Sequence, residues 1–231
     1  MGDAVHATVT RRQRGIDGAA APGTLSGVTA SDDLATTAAQ PLVDVVDVMG
    51  AVRQVVRSRR TSLLVDRERP VPDDLVDQLI EAATWAPNHK RTWPWRFTVV
   101  TGGSRARLGE AMADHAQGSG APEAKVAKLR TKYLRSPTLL LVWQAVDVDD
   151  EVRRREDRDA VAAAVQNLLL VATAHGLGSY WGTVADHLVP AVRAVAGVDR
   201  AHDLVALVYL GWPTAAVPAP ARTVPEVTRL R

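Results

Sequence analysis

Trp85 to Phe97, reading WAPNHKRTWPWRF, constrains the fold of this chain more than any other stretch. The protein has six Trp, three Tyr and one Phe, and Trp85, Trp93, Trp95 and Phe97 all fall within that short run. Pro87 and Pro94 bracket the polar residues Asn88, His89, Lys90 and Arg91. Each proline fixes its own φ and disfavours helix at the residue before it. From Trp95 to Val100 the side chains turn aromatic and β-branched, the composition of a strand. The run therefore predicts a helix that stops, a stiff loop, and a strand entering the core. Two uses of the rings are compatible with this: plugging the core, or gripping a flat ligand whose polar edge meets the neighbouring side chains.

On the N-terminal side, Val45, Val48, Met49, Val52, Val55 and Val56 recur at helical spacing and predict a helix of about four turns. It ends in Arg57, Ser58, Arg59, Arg60 and Thr61. Cations there complement the negative end of the helix dipole, and paired guanidinium groups beside a hydroxyl also suit an anion such as phosphate. Pro70 and Pro72 punctuate the chain before Asp73 and Asp74 open a second helix, with Leu75, Val76, Leu79, Ile80 and Ala83 as its apolar face.

After the strand, a Gly-Gly turn over Thr101–Ser104 predicts Ser104 as the N-cap of a helix to about His115. A loop is expected over Gln117–Ala121, then a charged helix from Pro122 through Leu134. Thr138–Val146 is almost unbroken apolar sequence and reads as a strand buried on both faces. The acidic cluster Asp147, Asp149, Asp150 and Glu151, with Arg153–Arg155 and Arg158, reads as a solvated loop and helix start whose charges neutralise each other. Ala160–Ala174 predicts a central buried helix, ended by Gly176 in a left-handed cap. Tyr180–Val184 is a short strand, Ala191–Ala196 a helix and Leu204–Leu210 a buried strand. Gly176-x-Gly178 follows a helix and not a strand, the wrong context for a dinucleotide fingerprint.

Several function classes drop out on composition. There is no cysteine, so disulfides, thiolate catalysis and Cys-ligated metals are excluded, and redox chemistry would need a bound cofactor. The net charge is only +2, with no basic stripe interleaved with aromatics, which disfavours nucleic acid as a partner. No apolar run is long enough to span a bilayer, and the N-terminus lacks a signal-peptide core, so a cytoplasmic protein without a membrane partner is expected. His6, His115, His187 and His202 are not spaced as metal ligands; no metal site is expected. Residues 1–42, rich in Ala, Gly, Ser and Thr, are expected to be a disordered tail, 43–217 the folded domain, and 218–231 a Pro-rich arm of the kind that lies on a second subunit.

Three separated features resemble the nitroreductase family of flavoproteins, in particular its small members. They are Arg59-Arg60-Thr61, the AATWAPNHKRTWPWRF stretch at 82–97, and HGLGSYWGT at 175–183 leading to YLGWP at 209–213, in matching order over roughly 45–217. The resemblance implies an α+β fold, a mixed and mostly antiparallel sheet flanked by helices, in a homodimer with two FMN sites at the subunit interface. It implies that Arg59, Arg60 and Thr61 follow the FMN phosphate and ribityl chain, Thr61 standing where many relatives have Ser. Trp85 and His89 would approach the flavin from the partner chain. Trp181, Gly182 and Thr183 would line the reactive ring edge, where similar proteins often have Arg in place of Gly182. His175, Gly176, Leu177, Gly178 and Ser179 match the part associated with the nicotinamide cofactor.

The function implied is an NAD(P)H-dependent oxidoreductase, using NADH or NADPH. It would pass two electrons through FMN by a ping-pong cycle to an electron-poor acceptor such as a nitroaromatic or a quinone. No side chain is nominated as a catalytic acid. Alternatives on the same fold are a non-catalytic FMN-binding or storage protein and a flavin-remodelling oxygenase.

Overall fold

Strand β2 (Thr138–Ala145) is the hub of the structure, a computed structural model that describes residues 45–146 and 149–231, with the backbone alone for Val45 and Val46. The expected tail over 1–42 and His6 lie outside the described residues. β2 pairs antiparallel with β1 (Trp95–Thr101) on one side and β4 (His202–Gly211) on the other, and β4 pairs antiparallel with β3 (Gly178–Gly182). The order is β1-β2-β4-β3, and a parallel bridge between Thr61 and Ser179 extends the β3 edge. The sheet is therefore mixed and mostly antiparallel.

Among the described residues there are six α-helices: α1 (Val45–Ser58), α2 (Asp73–Ala83), α3 (Ser104–Gly118), α4 (Glu123–Lys132), α5 (Glu151–Ala174) and α6 (Val189–Ala196). Side chains alternate across a strand, so a strand covered on both faces must be apolar at nearly every position. In β2, Leu140 and Val142 pack with α2 and α5, while Leu139, Leu141 and Trp143 pack with α3, α4 and α6. β4 divides likewise, Ala206, Val208 and Leu210 to the α5 face and Leu207 and Tyr209 to the other. Each large apolar side chain so buried contributes about 2 kcal/mol relative to exposure.

α5 starts earlier than the apolar pattern suggested, because the Asp150 carboxylate caps it by accepting the Arg153 backbone N–H at 2.9 Å. It ends as expected, with Gly176 at φ 75° in the left-handed region that only glycine enters without strain. Three local expectations are corrected. Gly103, not Ser104, holds the N-cap position of α3, and the Ser104 hydroxyl instead accepts from Arg107 Nη2 at 2.6 Å. α3 continues through Gly118, since nothing in Gln117–Gly118 breaks a helix until the turn that closes on Ala116. Pro122 precedes α4 with an extended backbone, and Glu123 is the first helical residue.

No helix among the described residues is long and apolar enough to cross a membrane. α1 carries Val48, Met49, Val52 and Val56 on an exposed face, each more than two-fifths accessible.

Candidate cofactor site

Two of the three sequence features meet at the β3 edge. α1 runs out at Ser58, and the chain turns so that Thr61 bridges Ser179 and the Ser62 N–H donates to the Ser179 carbonyl at 2.8 Å. This backbone pairing sets the Arg59–Thr61 segment beside the Gly176–Gly178 turn. Between them lies a cavity of about 320 Å³ lined by Ser58, Arg60, Ser62, Thr173, Gly176 and Gly178, and by Pro213, Ala215, Ala216 and Val217 just before the C-terminal arm.

Arg60 is the polar centre of that cavity. Its Nη1 donates to the carbonyls of Arg57 at 2.5 Å and Arg59 at 3.0 Å. Its Nε is buried with no hydrogen-bond partner. A buried N–H on a charged guanidinium left without an acceptor is costly, so an anion oxygen reaching this guanidinium would be favourable. Ser58, Ser62 and the glycine backbone leave room for one. The residues present therefore fit a phosphate-bearing cofactor.

The rest of the 175–183 run divides by exposure. Leu177 is packed into the α5 core and Ser179 is buried, so Gly176 and Gly178 present backbone rather than side chain to the cavity, and His175 is exposed at the end of α5. Trp181 and Thr183 are exposed on either side of buried Gly182. A Cβ at Gly182 would lie 3.0 Å from Tyr180 Cε1 and 3.3 Å from Tyr209 Cε2. Those two rings meet edge to face with centroids 5.6 Å apart, and they take the space a longer side chain at 182 would need. Thr183 also borders a second hollow, about 380 Å³, shared with Arg158, Asp186 and Arg193.

The third feature lies elsewhere in the same chain. Trp85, at the end of α2, is 76% exposed and donates its Nε1–H to Glu81 Oε1 at 2.5 Å. Together with Thr84, Ala86, Trp93 and Trp95 it lines an open groove of about 520 Å³. Trp93 and Trp95 meet edge to face, centroids 5.8 Å apart; Trp95 is buried while Trp93 is half exposed. Trp95 thus fills the core, one of the two uses compatible with the rings. His89 Nδ1 lies 3.2 Å from Glu156 Oε2, near the start of α5.

Thr173, at the Arg60 cavity, and Glu156, at His89, stand on the same helix. At about 1.5 Å per residue they are about 25 Å apart along its axis. One chain therefore does not bring His89 to its own Arg60 cavity.

The backbone between Asn88 and Trp93 is unusual. Lys90, Arg91 and Trp93 all adopt positive φ, at 61°, 53° and 49°. For non-glycine residues each such conformation costs about 1–3 kcal/mol and persists only where surrounding contacts enforce it. The contacts here are side-chain hydrogen bonds. The Thr92 hydroxyl donates to Asp157 Oδ1, Asn88 Nδ2 reaches Thr92 Oγ1 at 3.0 Å and Asp157 Oδ1 at 3.4 Å, and the Trp93 N–H donates to Asn88 Oδ1 at 2.8 Å. Asp157 was hidden in the sequence among the charges opening α5. The available signal was its position one helical turn before Ala160 and Val161, on the apolar face. Among the described residues, no three His, Asp or Glu side chains gather as metal ligands.

Fold and site together define an α+β protein with an arginine-lined cavity where a helix end meets a sheet edge. The chain belongs to the nitroreductase family, whose family model matches residues 56–212. It is 31% identical over 177 residues to YfhC of Bacillus subtilis (strain 168), an NAD(P)H nitroreductase by name, across 74% of this chain and 89% of that protein. It is also similar to the crystal structure of a nitroreductase-like family protein from Bacillus cereus, with a TM-score of 0.66 and 28% identity over 75% of this chain and 91% of that one. The FMN-dependent nitroreductase NfnB from Mycobacterium smegmatis, solved in complex with NADPH, shares the fold at a TM-score of 0.64 and 20% identity, over 80% of this chain and all of that one.

Proposed function

We propose that this protein is an FMN-dependent oxidoreductase that takes two electrons from NAD(P)H and delivers them, in a ping-pong cycle, to an electron-poor acceptor such as a nitroaromatic or a quinone. The observation that carries the reading is Arg60, which lines a cavity built by the first and third sequence motifs and whose buried Nε has no hydrogen-bond partner. When bound there, FMN supplies the reversible two-electron chemistry that a chain without cysteine lacks in its own side chains.

Each residue then has a bounded task. Arg60 holds the phosphate by a charge-assisted hydrogen bond, with Arg59 adding positive charge and Thr61 fixing the backbone through Ser179. Gly176, with open space where a side chain would stand, allows close approach of the cofactor, while the missing side chain of Gly178 makes room for Val65. Trp181 and Thr183, exposed beside Gly182, are the groups available to the ring edge.

Trp85 and His89 serve the site of a second copy. The separation of about 25 Å along α5 puts His89 out of reach of its own cavity, and Trp85 is grouped with it by the sequence motif they share. The exposed apolar face of α1 and the extended arm over 218–231, with Val224 and Leu230 more than nine-tenths exposed, are surfaces suited to covering by that copy. The reading is tested by titrating purified protein with FMN and following quenching of flavin fluorescence. Saturation at one flavin per chain supports it, and an unquenched flavin counts against it.

A further inference from the structure

Among the described residues, Asp157 is the one charged side chain that is buried, at 3% exposure. It stands on the face of α5 that continues as Ala160, Val161 and Ala164, where an apolar side chain would pack as well. Its hydrogen bonds instead go to Asn88 and Thr92, which flank His89, Lys90 and Arg91. Asn88 in turn accepts the N–H of Trp93, so one carboxylate and one amide close the loop at both ends. The next residue back on the helix, Glu156, holds His89 at 3.2 Å. Successive residues of one rigid helix thus fix the frame of the loop and the direction of its histidine. A run of left-handed, non-glycine backbone needs such enforcement, and the segment it shapes is the one that offers His89 and Trp93 outward.

We propose that Asp157 is a positioning residue of the cofactor site. Through Thr92 and Asn88 it imposes the left-handed loop that presents His89, and with it the indole of Trp93, to the flavin held by a second copy of this chain. The proposal rests on the functional reading above for the identity of what His89 faces. The loop geometry that Asp157 imposes is a property of the chain itself.

The experiment compares Asp157→Ala, Asp157→Asn and Thr92→Val with the wild-type protein. Thr92→Val removes the hydroxyl while keeping the shape, and decides the matter if the alanine variant does not fold. Three quantities are read: amide hydrogen exchange of peptides covering 88–93 without cofactor, the visible circular dichroism of added FMN, and kcat and KM with NADPH and a quinone. Asp157→Ala and Thr92→Val should accelerate exchange in 88–93 and not across the sheet. They should change the flavin dichroism and lower kcat about tenfold or more, as a displaced positioning group does. FMN affinity should be retained, because Arg60 is untouched. Asp157→Asn, which keeps an acceptor oxygen, should restore most of both signals.

Wild-type exchange and kinetics in Thr92→Val would overturn the proposal, as would faster exchange spread evenly over the whole chain. Wild-type protein that takes up no FMN would overturn the functional reading, and Asp157's flavin-facing role with it. That failure appears before any substitution is made, and local acceleration of exchange would still identify the loop clamp.

Discussion

The Ser62 backbone N–H donates to the Ser179 carbonyl at 2.8 Å, and through that bond the end of α1 and the turn after α5 become two walls of one cavity. Segments well over a hundred residues apart in sequence share a parallel bridge, and Arg60 lies where they join. Arg60 lines that cavity, and its buried Nε has no hydrogen-bond partner.

Arg60→Ala should weaken FMN binding by about ten- to a hundredfold, the equivalent of losing one hydrogen bond to a charged group at about 1.5–3 kcal/mol. The fold should persist, since the side chain bonds only to nearby carbonyls of its own segment. Fluorescence titration with FMN, paired with far-ultraviolet circular dichroism, reads both outcomes. Wild-type affinity in the variant would remove the phosphate assignment.

Gly182→Ala should destabilise the fold by about 1–3 kcal/mol through overpacking. Its Cβ would press on Tyr180 and Tyr209, the latter a core residue only 3% exposed. Urea denaturation measures the loss, and replacing Tyr180 with a smaller residue in the same chain should recover part of it. Additive losses in the double variant would contradict the proposed contact.

The fold was legible in the sequence wherever one period dominated. Thr138–Val146 announced a doubly buried strand because both faces of β2 are covered, and the stripe from Leu75 to Ala83 announced α2. Boundaries were harder. The charged opening of α5 gave no apolar period, yet Asp150 caps it and Asp157 turns inward to bind side chains from a distant loop. Arg59-Arg60-Thr61 and the 175–183 run were legible as motifs, but their junction depends on a bridge between Thr61 and Ser179 that no local pattern encodes. The positive φ values at Lys90, Arg91 and Trp93 were illegible for the same reason: side chains disfavour that backbone, and tertiary hydrogen bonds impose it.

Alkaline pH should unfold the protein through Tyr133 and Tyr209. Their rings stack with centroids 6.5 Å apart, and burial raises both phenols well above the ordinary value of 10.0. A raised folded value means the folded state holds its proton more tightly. The contribution is therefore fully present below pH 10.0 and is lost as pH rises above it toward the folded values, where unfolded tyrosines ionise first. Melting temperatures measured across that range should fall, and Tyr133→Phe with Tyr209→Phe should flatten the fall. An unchanged slope in the double variant would rule out these two phenols as its source.

Met49→Asp, at the centre of the exposed apolar face of α1, should leave the chain folded while shifting it from dimer to monomer in sedimentation velocity. Quinone reduction should fall with it, because Trp85 and His89 then have no second cavity to serve. A variant that remains a fully active dimer would place the subunit interface on another surface.

The Arg60 cavity should hold a flavin which a nicotinamide cofactor reduces. Anaerobic mixing of FMN-loaded protein with NADPH or NADH, followed in the visible flavin band, tests it most directly. The band should bleach with one of the two reductants and return when a quinone or nitroarene is added. A bound flavin that neither reductant bleaches would contradict the oxidoreductase reading and leave a protein that only carries its cofactor.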